Sequence, residues 1–456
     1  MKVLLLNPPA PETVIRDYYC SKTTKSNYLF PPADLVMQSG LLAEEHELVA
    51  IDAVAKRLGR DECMKKIEAL SPDAVLGLWG AVTDRVDYEF YRELSGRVSA
   101  PLFISGEVLL DDPESWLLER PFVKGALLRF VSPGLVDFLE TGEPGPDLLV
   151  RDNDGIRKGA ESTGREFRAG RPRHELFFHK GYSFSFARGK RFATVLTDFG
   201  CPFKCGFCVM PALGYRVRPI DEVIEELSFL KKHDITELFV ADQCFGADRR
   251  RTVELCREIA AEAPGMGFTT FTRADLLDDT LLDAMYEAGA HTLIMGVETA
   301  DETALQSYGK SLAPDKVAEG FRKCREKGIR TVATFIIGLP EDTTESIHNT
   351  MRLACELSPD FVSYNVAVPR SGTVLKDLAR SEGLADVNID PDQGGARVSM
   401  RTRNLKREEV ARLKKKAVRD FYLRPSYFIR RLKRVSSLRQ LFHEAKEGVS
   451  LIIKNV

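Results

Sequence analysis

Gly200-Cys201-Pro202-Phe203-Lys204-Cys205-Gly206-Phe207-Cys208 is the stretch on which the reading of this chain turns. Its cysteines follow a C-x3-C-x2-C spacing, with an aromatic residue directly before the last. Three thiolates on one short loop can hold three irons of a 4Fe–4S cube. The fourth iron then has no protein ligand, and an open iron can bind and activate a small molecule. An electron carrier closes that position with a fourth cysteine. A zinc knuckle also needs a fourth Cys or His, and the nearest downstream, His233 and Cys244, stand far along the chain.

Downstream of the loop's own strand, residues 191–370 alternate strand and helix patterns. The strands are expected at Phe192–Thr197, Glu237–Asp242, Gly267–Arg273, Thr292–Glu298, Thr331–Ile337 and Phe361–Val368. Helices are expected to begin near Ile220, Asp248, Asp278, Pro314 and Thr343. Six β/α units are too few for an eight-stranded barrel.

Upstream, residues 1–140 alternate in the same way. Val3–Leu6, Leu48–Asp52, Ala74–Leu78 and Leu102–Ser105 read as strands, with helices near Asp34–Glu45 and Asp61–Leu70. Alternation of this kind predicts a parallel, doubly wound α/β sheet covered on both faces. Ligands of such sheets bind beyond the carboxyl ends of the strands. Those ends are Asn7-Pro8-Pro9, Asp52, Gly77-Leu78-Trp79-Gly80 and Ser105-Gly106. Residues 141–190, rich in Gly, Pro, Asp and Arg, read as a connector. A core domain is expected over 191–385 and a mostly helical basic region over 386–456.

Bulk properties set the outer limits. A chain of 456 residues with 44% apolar composition can bury two or three cores. A net charge of −2 gives nucleic-acid binding no global support. The charge is uneven: residues 1–150 hold 24 acidic and 15 basic side chains, whereas Leu405–Gln440 holds 13 Lys/Arg against 3 Asp/Glu. That basic segment, with Phe421, Tyr422, Tyr427, Phe428 and Ile429 in its midst, reads either as a solvated cap on the core or as a contact with an anionic membrane surface. Nine cysteines, three of them clustered, do not form a disulfide framework. Met1–Pro9 is too short in its apolar run for a signal peptide, and no apolar stretch is long enough to span a bilayer. The expected location is cytoplasmic, with peripheral membrane contact as the open question.

The cysteine loop, with Phe207 before its last cysteine, resembles the signature of the radical S-adenosylmethionine (AdoMet), or radical SAM, enzymes. The resemblance implies an open partial (β/α)6 barrel with Cys201, Cys205 and Cys208 binding a 4Fe–4S cluster at its carboxyl-end face. It further implies that AdoMet is chelated by the open iron and cleaved to a 5′-deoxyadenosyl radical. It gives AdoMet contacts to Phe207, to Asp242 (where relatives often have a D-D-x-F element), to Arg273 of an R-x-D-like Arg273-Ala274-Asp275, and to Gly296 and Glu298 of a G-V-E-like motif. Gly338, in Ile336–Pro340, and Pro369, in a P-x-x-G-T turn, complete that set. Arg273 has a competing account as an ion pair with Asp275.

The N-terminal pattern, with Asn7-Pro8-Pro9, Val49–Ala53 and Asp73–Gly77, resembles the flavodoxin-like domain of cobalamin-binding radical SAM proteins. The tail's Phe421–Tyr427 resembles a branch that includes hopanoid-associated proteins and anaerobic magnesium-protoporphyrin ester cyclases. Asn7, Pro8, Gly77, Trp79, Ser105 and Gly106 are then the candidate cobalamin contacts. The chain departs from the pattern in having no D-x-H-x-x-G, and Ser105-Gly106-Glu107-Val108 where relatives carry G-G-x-H. Arg129–Gly134 likewise lacks a G-E-G-E element.

Three functions remain open at this point. One is a cobalamin-dependent C-methyltransferase acting on a hydrophobic or secondary metabolite, a lipid-like one included, and drawing electrons from a ferredoxin or flavodoxin. Another is a radical cyclase, rearrangement or carbon–carbon bond-forming enzyme with a degenerate cobalamin domain. The third is a non-catalytic iron–sulfur or zinc protein.

Overall fold

The computed structural model describes residues 1–434, apart from residues 19, 25–27, 130, 190, 386–391 and 393–397. Residues 435–456 of the expected tail lie outside the described residues.

The N-terminal part begins with β1 (Lys2–Asn7) and a hairpin of β2 (Val14–Asp17) and β3 (Cys20–Thr23). Then come β4 (Glu47–Asp52), β5 (Ala74–Leu78), β6 (Leu102–Ser105), β7 (Gly125–Leu127), β8 (Leu148–Asp152) and β9 (Gly155–Lys158). Among the described residues, one sheet has seven strands in the order β4-β1-β5-β6-β7-β8-β9. β4 to β7 run parallel to their neighbours. β8 and β9 are antiparallel. Val3–Leu6 are completely buried because both faces of β1 are covered. Val3 and Leu5 join one apolar core and Leu4 and Leu6 the other.

The sheet therefore continues to Lys158 instead of stopping at 140, and the stretch read as a connector opens with a β-hairpin. Its two-residue turn, Asn153-Asp154, leads straight into Gly155, a hairpin signal in its own right, and Gly155 has a positive φ of 133°.

The second part holds β10 (Ala193–Val195), β11 (Asp198–Gly200), β12 (Tyr215–Val217), β13 (Glu237–Val240), β14 (Gly267–Thr272), β15 (Ala290–Glu298), β16 (Arg330–Ile337) and β17 (Phe361–Val366). Six of them form a parallel sheet in sequence order, β10-β13-β14-β15-β16-β17. Helices start at Ile220, Arg249, Asp279, Pro314 and Thr344. The expectation of six β/α units is borne out, strand by strand.

A helix at Arg407–Tyr422 packs against β17, the last strand. The Tyr422 hydroxyl accepts from the Val362 N–H (3.1 Å) and donates to the Val362 carbonyl (2.8 Å). This covers part of an edge that an open barrel leaves unpaired. The two halves share a core: Phe30 packs on Phe239, with ring centroids 4.8 Å apart.

Candidate functional site

After β10 the chain turns into the β11–β12 hairpin, whose long loop carries the three cysteines. The loop is tied down by backbone bonds. The Cys201 N–H donates to the Gly214 carbonyl (3.2 Å) and the Cys208 N–H to the Cys205 carbonyl (3.0 Å). Gly206 donates to the Tyr308 carbonyl (2.7 Å) and accepts from the Leu375 N–H (3.0 Å). The loop is thus held by segments that follow β15 and β17, on the face where barrels place their sites.

The three thiols differ. The Cys244 thiol beside Cys201 hydrogen-bonds to it and draws it down to about 7. Burial raises Cys205 and pushes Cys208 up to about 12. Among the described residues no three His, Cys, Asp or Glu side chains converge to hold a single metal ion. A cube does not ask for that, because each thiolate binds its own iron.

Charges gather around the loop. Lys310 and Arg273 favour the thiolate form of Cys205, while Glu298 opposes it. Lys310 is 5% exposed; its ammonium pairs with Glu298 and lies 5.8 Å from the Phe207 ring centre. Glu298 sits at a register shift in the β15–β16 pairing and has φ +70°. A bulge there turns the carboxylate toward Lys310 at the cost of local strain. Gly296 lies under this ion pair, and a Cβ at that position would come within 2.8 Å of Lys310 Nζ. Arg273 forms two hydrogen bonds to Asp275 (3.0 and 2.8 Å) and stacks on Phe203, 4.1 Å from the ring centre. Its fork is therefore largely engaged by Asp275.

The other candidates sit deeper. Asp242 is fully buried and accepts from the Thr197 N–H (2.7 Å) and hydroxyl (2.5 Å), so it ties β13 to the end of β10. Burial raises it to about 6. Gly338 faces Val410 of the helix on β17, and a Cβ would stand 2.8 Å from Val410 Cγ1. Pro369 is buried on the loop after β17.

The carboxyl ends of the N-terminal sheet are largely filled by the protein itself. The Asn7 amide donates to Asp52 (3.0 Å), and its oxygen accepts from Arg16 (2.8 Å). Arg16, on the β2–β3 hairpin, also donates to the Pro8 carbonyl (3.0 Å) and grips Asp87 with two bonds (3.0 and 2.7 Å). Trp79 has no exposed surface; it stacks on Tyr91 at 5.3 Å, and its indole N–H donates to Asp84 (2.8 Å). Gly77 packs against the Tyr91 ring. Ser105 is different: its hydroxyl is buried and has no partner. Gly106 follows with φ +151° and approaches the Trp79 carbonyl so closely that only glycine fits.

The two faces meet at Glu107. Its carboxylate accepts from the Ser21 hydroxyl, from the Ala81 N–H (3.2 Å) and from Arg370 on the loop after β17 (2.9 Å). Lys376 and Asp111 form a second bridge at 3.0 Å. Neither pair was legible in the sequence. Lys310 was missed as well: Tyr308-Gly309-Lys310 follows a short helix, and its glycine reads as an ordinary helix stop.

Comparison with known proteins fits this arrangement. Residues 196–354 match the Radical SAM superfamily. They form a radical SAM domain. The radical SAM domain works with a 4Fe–4S cluster and AdoMet, needs an electron donor and acts on a small molecule. Over 451 residues the chain is 26% identical to an uncharacterised methyltransferase of Pyrococcus horikoshii, covering 94% of both chains. Over 196 residues it is 26% identical to a hopanoid C-2 methylase of Rhodopseudomonas palustris, covering 40% of this chain and 37% of that one. The structure of the cobalamin-dependent AdoMet radical enzyme OxsB superposes with a TM-score of 0.72 over 100% of this chain and 71% of that chain. At 15% identity, that likeness establishes a shared fold. Among the described residues no helix is long and apolar enough to cross a membrane.

Proposed function

We propose that this protein is a cobalamin-dependent radical SAM C-methyltransferase acting on a hydrophobic small molecule at a membrane surface. The observation that carries the reading is the facing of two strand-end surfaces, joined by Glu107 and Arg370, with the three-cysteine loop on one side and the unpartnered Ser105 hydroxyl on the other. The names of the methyltransferase and hopanoid methylase relatives, and of the cobalamin-dependent structural neighbour, agree with it.

Cys201, Cys205 and Cys208 fit a 4Fe–4S cluster by donor type and by the loop's fixed backbone. When bound, the cluster would supply the electron that splits AdoMet. Lys310 offers a cation for the AdoMet carboxylate, and Glu298 an acceptor for its ammonium or ribose. Phe203 and Phe207 keep water from the loop. Ser105 and Gly106 fit the edge of a cobalamin seat at the carboxyl end of β6. Cobalamin, when bound, would supply the methyl group. The chain's contribution is to hold these partners and the substrate in line. The electron donor in this reading is a ferredoxin or flavodoxin.

Anaerobic reconstitution tests it. The expected result is four irons per chain, cobalt bound at one per chain, 5′-deoxyadenosine from AdoMet, and labelled methyl in a product. Deoxyadenosine without any methylated product would refute the methyltransferase. A second reading keeps the radical chemistry and dispenses with the corrin, since Asn7, Gly77 and Trp79 are engaged by the protein's own groups. Purified protein carrying iron and no cobalt would favour that reading.

A further inference from the structure

The last described helix, Pro425–Arg434, presents a bare apolar strip. Phe428 is 51% exposed, Ile429 57%, and Leu423, just before the helix, 48%. The other side of the helix is fixed to the barrel. Tyr427 packs against Phe421 and Tyr422, with ring centroids 5.5 and 5.3 Å away. Arg430 donates to the Ser358 hydroxyl and to the Pro359 carbonyl (2.9 Å). The outward face is therefore set by the anchoring of the inward one.

Charge defines what fits there. Residues 421–434 contain Arg424, Arg430, Arg431, Lys433 and Arg434 and no acidic residue. Exposed apolar side chains in a segment that carries five cations and no anion are the pattern of a helix that lies in a lipid headgroup region.

Location excludes a redox partner as the occupant. Ser358 and Pro359 directly precede β17, so the helix lies at the amino-terminal end of the barrel strands. The cysteine loop follows β10 and lies at the opposite end. An electron donor bound to Phe428 and Ile429 would face away from the cysteines.

We infer that Pro425–Arg434 docks the protein on an anionic lipid surface, with the amino-terminal end of the barrel toward the membrane. The inference rests on the membrane-surface part of the function proposed above and is independent of the radical chemistry. The test is co-sedimentation of the full chain with vesicles of phosphatidylglycerol and phosphatidylcholine in equal parts, and with phosphatidylcholine alone. The wild type should bind only the anionic vesicles, and less as salt is raised. The double variant Phe428→Ser, Ile429→Ser should bind on the order of tenfold more weakly, as should Arg431→Gln, Lys433→Gln. Both should cleave AdoMet at the wild-type rate. The inference is overturned if the wild type ignores anionic vesicles or the variants bind as well as it does. It is also overturned if the strip proves to pair two copies, seen as a dimer that the apolar variant abolishes. Loss of vesicle binding with intact AdoMet cleavage removes the membrane surface from the proposed function and leaves its radical methyl transfer standing, whereas loss of cleavage in the wild type tells against the radical chemistry alone.

Discussion

At the scale of single residues, the site turns on Lys310. It is a buried cation beside the cysteine loop, balanced by one carboxylate, Glu298. Arg273 also lies near the cysteines, but Asp275 occupies its fork. Lys310→Gln is therefore expected to weaken AdoMet binding about tenfold to a hundredfold, the equivalent of ~1.5–3 kcal/mol for a charged hydrogen bond. Iron content should stay at wild-type levels. The checks are equilibrium binding of AdoMet to reconstituted protein and an iron assay. Arg273→Gln should do less, and equal losses in the two variants would put the carboxylate contact on Arg273.

Asp17 makes a second residue-scale prediction. Both its oxygens are buried without a partner, and burial, opposed by Lys22 and reinforced by Glu107, raises its carboxyl to about 6. Asp34, another buried carboxyl, lies close enough to be raised by it. With the folded value above the unfolded one, stability is highest while Asp17 is protonated, below about pH 4. It is lost as pH rises through about 6. Asp17→Asn should thus leave stability near pH 4 unchanged and raise it at pH 7.5 by about 1–3 kcal/mol. Denaturant midpoints at the two pH values measure this. A midpoint at pH 7.5 that falls would mean that the charged carboxylate is needed there.

At the scale of elements, what could be read in advance and what could not separate along one line. The barrel strands were legible because each is an apolar run beside an amphipathic helix, and both signals come from local sequence. Val332, Ala333 and Phe335 of β16 are buried whatever lies far away in the chain. The β2–β3 and β11–β12 hairpins have three- or four-residue strands carrying Arg16, Asp17, Asp198 and Arg216. Their residues are polar because their partners are polar and remote: Arg16 meets Asp87, 71 positions on. No window of sequence contains that pairing. The same holds for the site, where the cysteines announce themselves but Lys310 does not. Because Arg16 ties the end of β1, through Asn7, to Asp87 on the helix that follows β5, Arg16→Ala should leave the buried Asp87 without its cation and cost about 3–5 kcal/mol. The hairpin should also become open to protease. Thermal unfolding and limited proteolysis read both effects, and an unchanged melting point would show that the hairpin is held mainly by its apolar contacts.

At the scale of the whole molecule, the question is how two strand-end faces are kept at one working distance. The shared apolar core around Phe30, Phe184 and Phe239 fixes the halves on one side. Across the faces themselves, the bridges run from Glu107 to Arg370 and from Asp111 to Lys376. The second has an exposed carboxylate and contributes little. Glu107 and Arg370 are 5% and 10% exposed in their side chains, so they interact in a setting that water screens poorly. Glu107→Gln keeps the shape and removes the charge. If this pair sets the spacing between AdoMet and the methyl source, the variant should still bind its cluster and still form 5′-deoxyadenosine. Methylated product per deoxyadenosine should fall on the order of tenfold, because a small displacement of reacting groups is enough to lose that factor. Arg370→Gln should do the same, and the double variant should be no worse than either single one, as expected of two residues acting through one contact. Measuring both products in one anaerobic assay decides the matter. If deoxyadenosine and methyl transfer fall together, the pair stabilises the fold in general and does not set the distance between the two faces.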